Sequence, residues 1–351
     1  MLFSVSGLAG LVFSWIGIPL PWMIGPLVSV AILTVTGTLE KRVPIRIRSI
    51  GQVIVATFIG AHFTPDALHS MLRAAPLLIG VSLYILVASL LVAQVQARLF
   101  GTDRVTGFLS VVPISPVEAG ILAELHHVAT APIIFAQTVR IALLVIFIPF
   151  MLYVSDPAVP AIVPPVETRG LVGLVVTLMG ATAGPLLFMV LKLNNPFFLG
   201  PLLLAAVLSA LDLPSFSTPQ PVLALAQVIL GTWLGSCFRR ELLVEPSKLV
   251  ASVLLSTALL LILCLLGASL VAEFTELPFA TLVLGFAPGA TTEMALMAGL
   301  LGLDVAFVTA MHLTRIFIIM PNVSWITRMS HPAGLRAEKL RTHQPSDRRK
   351  I

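Results

Sequence analysis

The chain has 351 residues, of which 58% are hydrophobic and only 11% are charged. A soluble domain of this length could not cover so large an apolar core with so few polar residues, so the composition excludes that class and predicts an integral membrane protein. The formal net charge of +5 comes from the residues after position 326. A short basic tail beside a last membrane helix is typical of the cytoplasmic side, so it does not indicate a nucleic-acid partner.

The first half of the chain, residues 1–153, contains six apolar segments that predict membrane helices. They lie at about 2–18, 21–39, 50–64, 75–97, 105–125 and 131–153. The longest of them exceed the roughly 20 residues that a helix needs to cross a bilayer. Residues 154–170 are rich in proline and show no helical period, which predicts a linker.

The second half, residues 171–326, contains six further apolar segments. They lie at about 171–191, 196–211, 221–238, 249–271, 278–300 and 304–326. The basic tail at residues 327–351 follows them, and we expect it in the cytoplasm.

An internal repeat relates the two halves at an offset of 175 residues. The matching positions include Pro21, Gly25, Gln52, Gly60, Pro113, Glu118 and Arg140, which recur as Pro196, Gly200, Gln227, Gly235, Pro288, Glu293 and Arg315. Chance matches between apolar residues are common, but they do not account for Pro, Gly, Gln, Glu and Arg recurring at one offset. The sequence therefore predicts a duplicated unit.

The charges of the loops predict that the two units have opposite orientations in the membrane. The loop after the second segment carries Lys41, Arg42, Arg46 and Arg48, whereas the equivalent loop around 212–220 has no basic residue. Basic loops favour the cytoplasm, so the equivalent loops should face opposite sides. Five crossings and one re-entrant segment per unit satisfy this pattern. The prediction is an all-α fold of about ten spanning helices in two inverted repeats, with both termini in the cytoplasm. A fifth segment that crosses as a broken helix, with another segment failing to cross, fits the charges almost as well.

Four ionisable residues inside apolar segments are the strongest candidates for a functional site. They are Glu118 and Glu293, which follow the helix-breaking Pro113 and Pro288-Gly289, and Arg140 and Arg315, which lie in the sixth segments. Charges at membrane depth are costly and usually pair, face a cavity or act in function, and broken helices turn dipoles toward a solute. Two interpretations stay open. Each glutamate pairs with the arginine of its own unit to fix the packing, or a glutamate responds to a coupling ion while an arginine holds an anion.

Three further polar residues are weaker candidates. Gln52 and Gln227 in the third segments either bond across helices or line the path of a solute. His312 lies one turn before Arg315, which suits a proton relay, although a lone histidine is more often a packing residue with satisfied hydrogen bonds. The two cysteines have no partner at metal-ligand spacing, so we expect neither a metal site nor a cofactor.

Four motifs are similar to those of the membrane AbrB duplication family, and the resemblance covers nearly the whole chain. They are Leu20-Pro21-Trp22-Met23-Ile24-Gly25-Pro26, Gln52 with Gly60, Pro288-Gly289-Ala290-Thr291-Thr292-Glu293-Met294 and His312-Leu313-Thr314-Arg315. The resemblance implies a bacterial inner-membrane protein with a duplicated domain. Members of that family carry labels such as regulator of gene expression and putative ammonia monooxygenase. The first copy departs from the family's Pro-Gly-Gly type of motif, since it reads Pro113-Ile114-Ser115-Pro116-Val117-Glu118-Ala119. The second copy is therefore the stronger candidate for function.

The residues argue against an oxygenase and against a DNA-binding protein. Seven scattered histidines do not supply the clustered ligands of a copper or iron site, and the basic tail is too short for a DNA-reading domain. We therefore predict that the chain is not an enzyme but a secondary transporter of a small solute, with an anion favoured by the arginines. It would work by alternating access and couple to protons or sodium, since no Walker phosphate-binding loop is present. The alternative is a membrane-embedded sensor that influences gene expression indirectly. A homodimer is a common arrangement for such folds and stays an option.

Overall fold

A computed structural model describes residues 2–39, 42–155, 170–192, 195–211, 218–238 and 247–330. Within these ranges every regular element is a helix. The helices are α1 (Leu2–Ile16), α2 (Pro21–Val35), α3 (Ile45–Gly60), α4 (Pro65–Arg73), α5 (Ala75–Phe100), α6 (Arg104–Val111), α7 (Pro116–Leu125), α8 (Thr130–Ser155), α9 (Gly170–Val190), α10 (Pro196–Ala210), α11 (Gln220–Ser236), α12 (Ser247–Phe274), α13 (Phe279–Phe286), α14 (Thr291–Leu300) and α15 (Val305–Ser330). The predicted all-α fold is confirmed.

Four helices in the described ranges are long and apolar enough to cross a bilayer. The spans are Ala75–Phe100 in α5, Thr130–Val154 in α8, Lys248–Phe274 in α12 and Val305–Val323 in α15. Helices α2 and α10 are also apolar, but each has 15 residues, fewer than the roughly 20 of a full crossing. The helices are thus compatible with the membrane protein that the composition predicts.

The bounds of several helices recur at the offset of 175 residues found in the sequence. Helices α2, α6, α7 and α8 begin and end at positions equivalent to those of α10, α13, α14 and α15. Local sequence explains part of this agreement, because α2 and α10 both start at a proline, whose fixed φ suits the first position of a helix.

Helix α3 packs on α10, and α11 packs on α2, through equivalent glycines. A Cβ atom on Gly60 would lie 2.6 Å from the carbonyl oxygen of Leu202, and a Cβ atom on Gly235 would lie 2.6 Å from the carbonyl oxygen of Leu27. Glycine alone allows two helix backbones to approach this closely. The contacts are reciprocal, because Gly60 and Leu27 are the repeat equivalents of Gly235 and Leu202.

The fifth apolar segment of each half is broken where Pro113 and Pro288 predict a break. The chain leaves the helical conformation between α6 and α7 and again between α13 and α14. Val112 and Ala287, the residues before the prolines, have φ/ψ values of −58°/133° and −53°/131°. Proline disfavours the helical conformation in the residue before it, so each half-helix ends there.

The start of α3 differs from the sequence prediction. The helix begins at Ile45 rather than near residue 50, so Arg46 and Arg48 belong to its first turn and not to a loop. Arg46 is exposed, but Arg48 is buried. The prediction was wrong for Arg48 because hydropathy assigns a charged residue to a loop, whereas the 3.6-residue period places Arg48 directly below Gln52 on one face of the helix.

Other predicted boundaries lie mostly outside the described residues. Residues 156–169 of the predicted linker and residues 331–351 of the predicted tail are not among them. Helix α8 continues through Ser155 and α15 continues through Ser330, so both helices extend beyond the predicted ends of the two halves. The short helix α4 was not predicted. Its start is capped by the Thr64 side chain, which accepts a hydrogen bond from the Ala67 N–H group.

Candidate functional site

The two helix breaks line one cavity of about 390 Å³, which we call the central cavity. The first break contributes Pro113, Ile114, Ser115 and Glu118, and the second contributes Gly289, Ala290, Thr291 and Thr292. Helices α3 and α15 supply Arg48, Gln52 and Arg315 to the same wall. Segments that lie 175 residues apart in the chain therefore meet at one site.

Arg140 and Gln137 of α8 hold the end of α6. The Arg140 guanidinium donates hydrogen bonds to the carbonyl oxygens of Val111 and Val112 and to Gln137 Oε1. Gln137 Nε2 donates to the carbonyl oxygens of Leu109 and Val112, at 2.6 and 2.9 Å. The last carbonyl groups of a helix lack partners within it and carry the negative end of its dipole, so a cation stabilises this half-helix end.

Arg315 and His312 of α15 hold the end of α13 in the same way. Arg315 donates to the carbonyl oxygens of Ala287 and Gly289, at 2.8 and 3.0 Å, and its third bond joins His312 Nδ1 at 2.8 Å. Arginine only donates, so Nδ1 accepts and the proton resides on Nε2, which donates to the Leu284 carbonyl oxygen at 2.9 Å. Because both ring nitrogens are engaged, the geometry favours the packing role of His312 over a proton relay.

The interpretation in which each glutamate pairs with the arginine of its own half is wrong. Arg140 and Arg315 direct their hydrogen bonds to the backbone carbonyls of the breaks. The Glu118 carboxylate instead accepts a hydrogen bond from the Ser115 N–H group at 3.2 Å. The two arginines therefore fix the shape of the breaks and do not neutralise the glutamates.

The two glutamates have different surroundings. Glu118 and Ser115 form a capping box at the start of α7, since the Ser115 hydroxyl also accepts from the Glu118 N–H group at 3.2 Å. Helix α14 has Ala290 at the capping position, and that side chain has no acceptor. Glu293 is only 3% exposed, and its Oε2 atom has no hydrogen-bond partner within the described residues. A buried carboxylate oxygen without a partner is costly, which makes Glu293 the stronger candidate for a group that binds or releases an ion.

Arg48 is a buried cation in the wall of the central cavity that the sequence analysis missed. Its guanidinium lies 4.4 Å from the centroid of the Trp233 ring, and its side chain donates no hydrogen bond within the described residues. Glu293 and Glu118 act on it electrostatically. A desolvated cation–π contact contributes about 2 kcal/mol, whereas removing a charge from water costs several kcal/mol. The ring therefore does not offset the cost of burying this charge.

The central cavity gathers half of the predicted site residues. Those in its wall are Gln52, Pro113, Glu118, Gly289 and Arg315. Arg140, Pro288 and His312 belong to the framework of the breaks, and Glu293 follows the wall residue Thr292. Gln227 instead lines a separate groove of about 1010 Å³ beside α1, α2 and α11. That groove is larger, but none of its described lining residues is charged, whereas Arg48, Glu118 and Arg315 lie in the wall of the central cavity. The spacing of Arg48 and Gln52 at i and i+4 is the signal that could have found Arg48.

No metal site is evident in the part of the chain that the structure describes. There, no group of three His, Cys, Asp or Glu side chains is placed to hold a metal ion. The thiols of Cys237 and Cys264 are free.

Sequence comparisons match known proteins over nearly the full length of the chain. The sequence model of a family described as "Transition state regulatory protein AbrB" matches residues 2–331. "Uncharacterized protein YhjN" of Bacillus subtilis (strain 168) is 24% identical over 354 aligned residues, covering 93% of this chain and 92% of the relative. "Putative regulator AbrB" of Escherichia coli (strain K12) is 24% identical over 327 aligned residues, covering 91% of this chain and 92% of the relative.

Proposed function

This chain belongs to the family described as transition state regulatory protein AbrB, and we propose that it is an ion-coupled secondary transporter of a small solute in the bacterial inner membrane. The observation that carries this proposal is the central cavity, where two broken helices meet among buried charges. Many transporters bind their solute between helix halves whose ends turn toward the middle of the bilayer. In this proposal the breaks form the binding centre, Glu293 responds to protons or sodium, Glu118 caps the first break, and Arg140 and Arg315 hold the breaks in shape.

Alternating access would follow from two related halves in opposite orientations. The reciprocal contacts of Gly60 with Leu202 and of Gly235 with Leu27 support this part of the proposal, because exchanged contacts of this kind are typical of a two-fold relation. The charges of the loops support an axis in the plane of the membrane. About ten crossings, with both termini in the cytoplasm, complete the proposed topology.

A transport assay tests the proposal. The purified protein is reconstituted into liposomes, and uptake of labelled anions, cations and neutral solutes is measured under proton and sodium gradients. We expect gradient-dependent uptake of a small solute by the wild type and by Glu276→Gln, which removes an exposed carboxylate before α13. The variant Glu293→Gln should lose gradient-dependent uptake. Absence of uptake by the wild type across the panel, under either gradient, would contradict the transporter.

Cysteine accessibility tests the inverted topology separately. Ile45→Cys and Gln220→Cys are a matched pair, because both are exposed at the first position of equivalent helices. In a background with Cys237→Ser and Cys264→Ala, a membrane-impermeant maleimide should label the two positions from opposite sides. Labelling of both from the same side would exclude the inversion.

The printed name of the Escherichia coli relative, "Putative regulator AbrB", favours a second candidate. In it the chain is a membrane-embedded sensor that binds a metabolite and affects gene expression indirectly. A protein that shows no uptake in liposomes, but whose deletion still changes transcription in cells, would favour the sensor.

A further inference from the structure

Arg48 presents a cation without a hydrogen-bond partner to the central cavity. It is 7% exposed, stacks on Trp233 and donates no hydrogen bond within the described residues. Arg140 and Arg315 differ, because their terminal N–H groups already bond the carbonyl groups of the helix breaks. The terminal N–H groups of Arg48 are therefore available to a ligand, whereas Arg140 and Arg315 have only their buried Nε atoms without a partner in the described residues.

The start of α14 lies in the same wall and has no side-chain cap. Thr291 and Thr292 line the central cavity, and the capping residue Ala290 offers no side-chain acceptor. The first N–H groups of a helix have no partner within it and carry the positive end of its dipole. An anion placed between Arg48 and this helix start would accept hydrogen bonds from the guanidinium group and from the first N–H groups of α14.

The rest of the wall restricts the charge and shape of that anion. Glu118 also lines the cavity, and its carboxylate opposes a second negative charge on a ligand. The planar guanidinium group of arginine matches the two oxygens of a carboxylate. Phe188, Leu199 and Phe317 add apolar surface to the same cavity. Its volume of about 390 Å³ restricts the ligand to a small molecule.

We infer that the central cavity binds a small monocarboxylate with an apolar tail, and that Arg48 holds the carboxylate opposite the start of α14. This inference deepens the proposed function and rests on it for the assignment of the cavity as a solute site. It replaces Arg140 and Arg315 with Arg48 as the anion-holding residue. The stacking of Arg48 on Trp233 also provides an optical reporter, because a ligand bound to the guanidinium changes the surroundings of the indole ring.

Fluorescence titration of the purified full-length chain in detergent tests the inference. The changes Trp15→Phe, Trp22→Phe and Trp325→Phe leave Trp233 as the sole tryptophan of the four in the sequence. The probes are butyrate and 4-methylpentanoate, with the corresponding amides and inorganic phosphate as controls. We expect saturable changes with the two carboxylates and none with the amides or with phosphate.

Variants of α3 then assign the binding to Arg48. Arg48→Gln should weaken carboxylate binding by about thirtyfold or more, the range expected for removal of one partner of a buried charged contact. Arg48→Lys keeps the charge but loses the planar donor pair, so it should bind with intermediate affinity. Arg46→Gln removes an exposed arginine from the same helix and should leave the affinity unchanged. If Arg48→Gln does not fold, as judged by circular dichroism and gel filtration, Arg48→Lys provides the test, and an affinity equal to that of the wild type would contradict the inference.

Three results would overturn the inference: no saturable response to either carboxylate, equal binding of the amides, or unchanged affinity after substitution of Arg48. Its failure is separable from that of the transporter. Carboxylate binding through Arg48 without uptake under any gradient would support the inference and contradict transport. Gradient-driven uptake of a solute that persists in Arg48→Gln would support transport and contradict the inference.

Discussion

The first helix break is closed by its own side chains, whereas the second is open at the corresponding positions. Ser115 and Glu118 cap α7, but Ala290 leaves the start of α14 without a side-chain cap, and Glu293 keeps an unpartnered carboxylate oxygen. The framework behind the breaks is alike, since one arginine holds the end of the preceding half-helix in each. Of two similar scaffolds, the first satisfies the polar groups at the start of its second half-helix with a capping box, whereas the second has no such cap.

The largest expected difference between the breaks is in transport. Glu118→Gln retains the capping box, because glutamine serves at that position as glutamate does, and it should change uptake little. Glu293→Gln removes the unpartnered carboxylate and should lower gradient-driven uptake by about tenfold or more, a difference of roughly 1.4 kcal/mol. Initial uptake rates in liposomes measure both. An equal loss of uptake in the two variants would contradict a functional difference between the breaks.

Loss of a framework arginine should reduce stability strongly. Arg140→Gln deletes a buried cation that bonds the end of α6, which should lower the free energy of unfolding by about 3 kcal/mol. Arg98→Gln is the control, because Arg98 is exposed in the last turn of α5. Denaturant titration in mixed micelles measures the difference. A loss no greater than that of the control would show that Arg140 does not hold the break.

Substitutions at the capping positions of α7 and α14 should have smaller effects on stability, and the two effects should have opposite signs. Ser115→Ala removes the cap of α7 and should cost about 1 kcal/mol. Ala290→Ser adds a hydroxyl at the start of α14 and should stabilise by up to about 1 kcal/mol, while it slows uptake by engaging the first N–H groups of that helix. Unfolding and uptake measured on the same preparations test this exchange. Faster uptake by Ala290→Ser would contradict an open second break.

The smallest effect is expected at His312. Glutamine occupies the equivalent position 137, where it bonds the same pair of groups, an arginine and a carbonyl oxygen near the half-helix end. His312→Gln should therefore change the free energy of unfolding by less than about 1 kcal/mol and leave uptake unchanged. Loss of proton-driven uptake in this variant would support the proton-relay role of His312, which its hydrogen bonds disfavour.

The sequence was sufficient to predict the all-α fold and the positions of the breaks. Long apolar runs predict helices, and Pro113 and Pro288 end them because proline restricts the residue before it. Gly60 and Gly235, which the sequence aligns at one offset, both make close backbone contacts that need glycine. These features follow from local chemistry and need no knowledge of distant contacts.

The sequence was not sufficient to predict the partners of the buried charges. Pairing Glu118 with Arg140 is reasonable by charge, but the ends of half-helices offer carbonyl groups that compete for the same arginine. Arg48 was assigned to a loop because its burial depends on Trp233, which lies 185 positions away in the chain. The choice between such partners is made by tertiary packing, which hydropathy does not encode.

The most direct test of the proposed transport is the accessibility of position 290 from each side of the membrane. Ala290→Cys, in the background with Cys237→Ser and Cys264→Ala, is treated with an impermeant maleimide in right-side-out and inside-out vesicles, with Ile45→Cys as a one-sided control. Alternating access around the central cavity predicts labelling of position 290 from both sides. Labelling from one side alone, under conditions in which the protein transports, would contradict it.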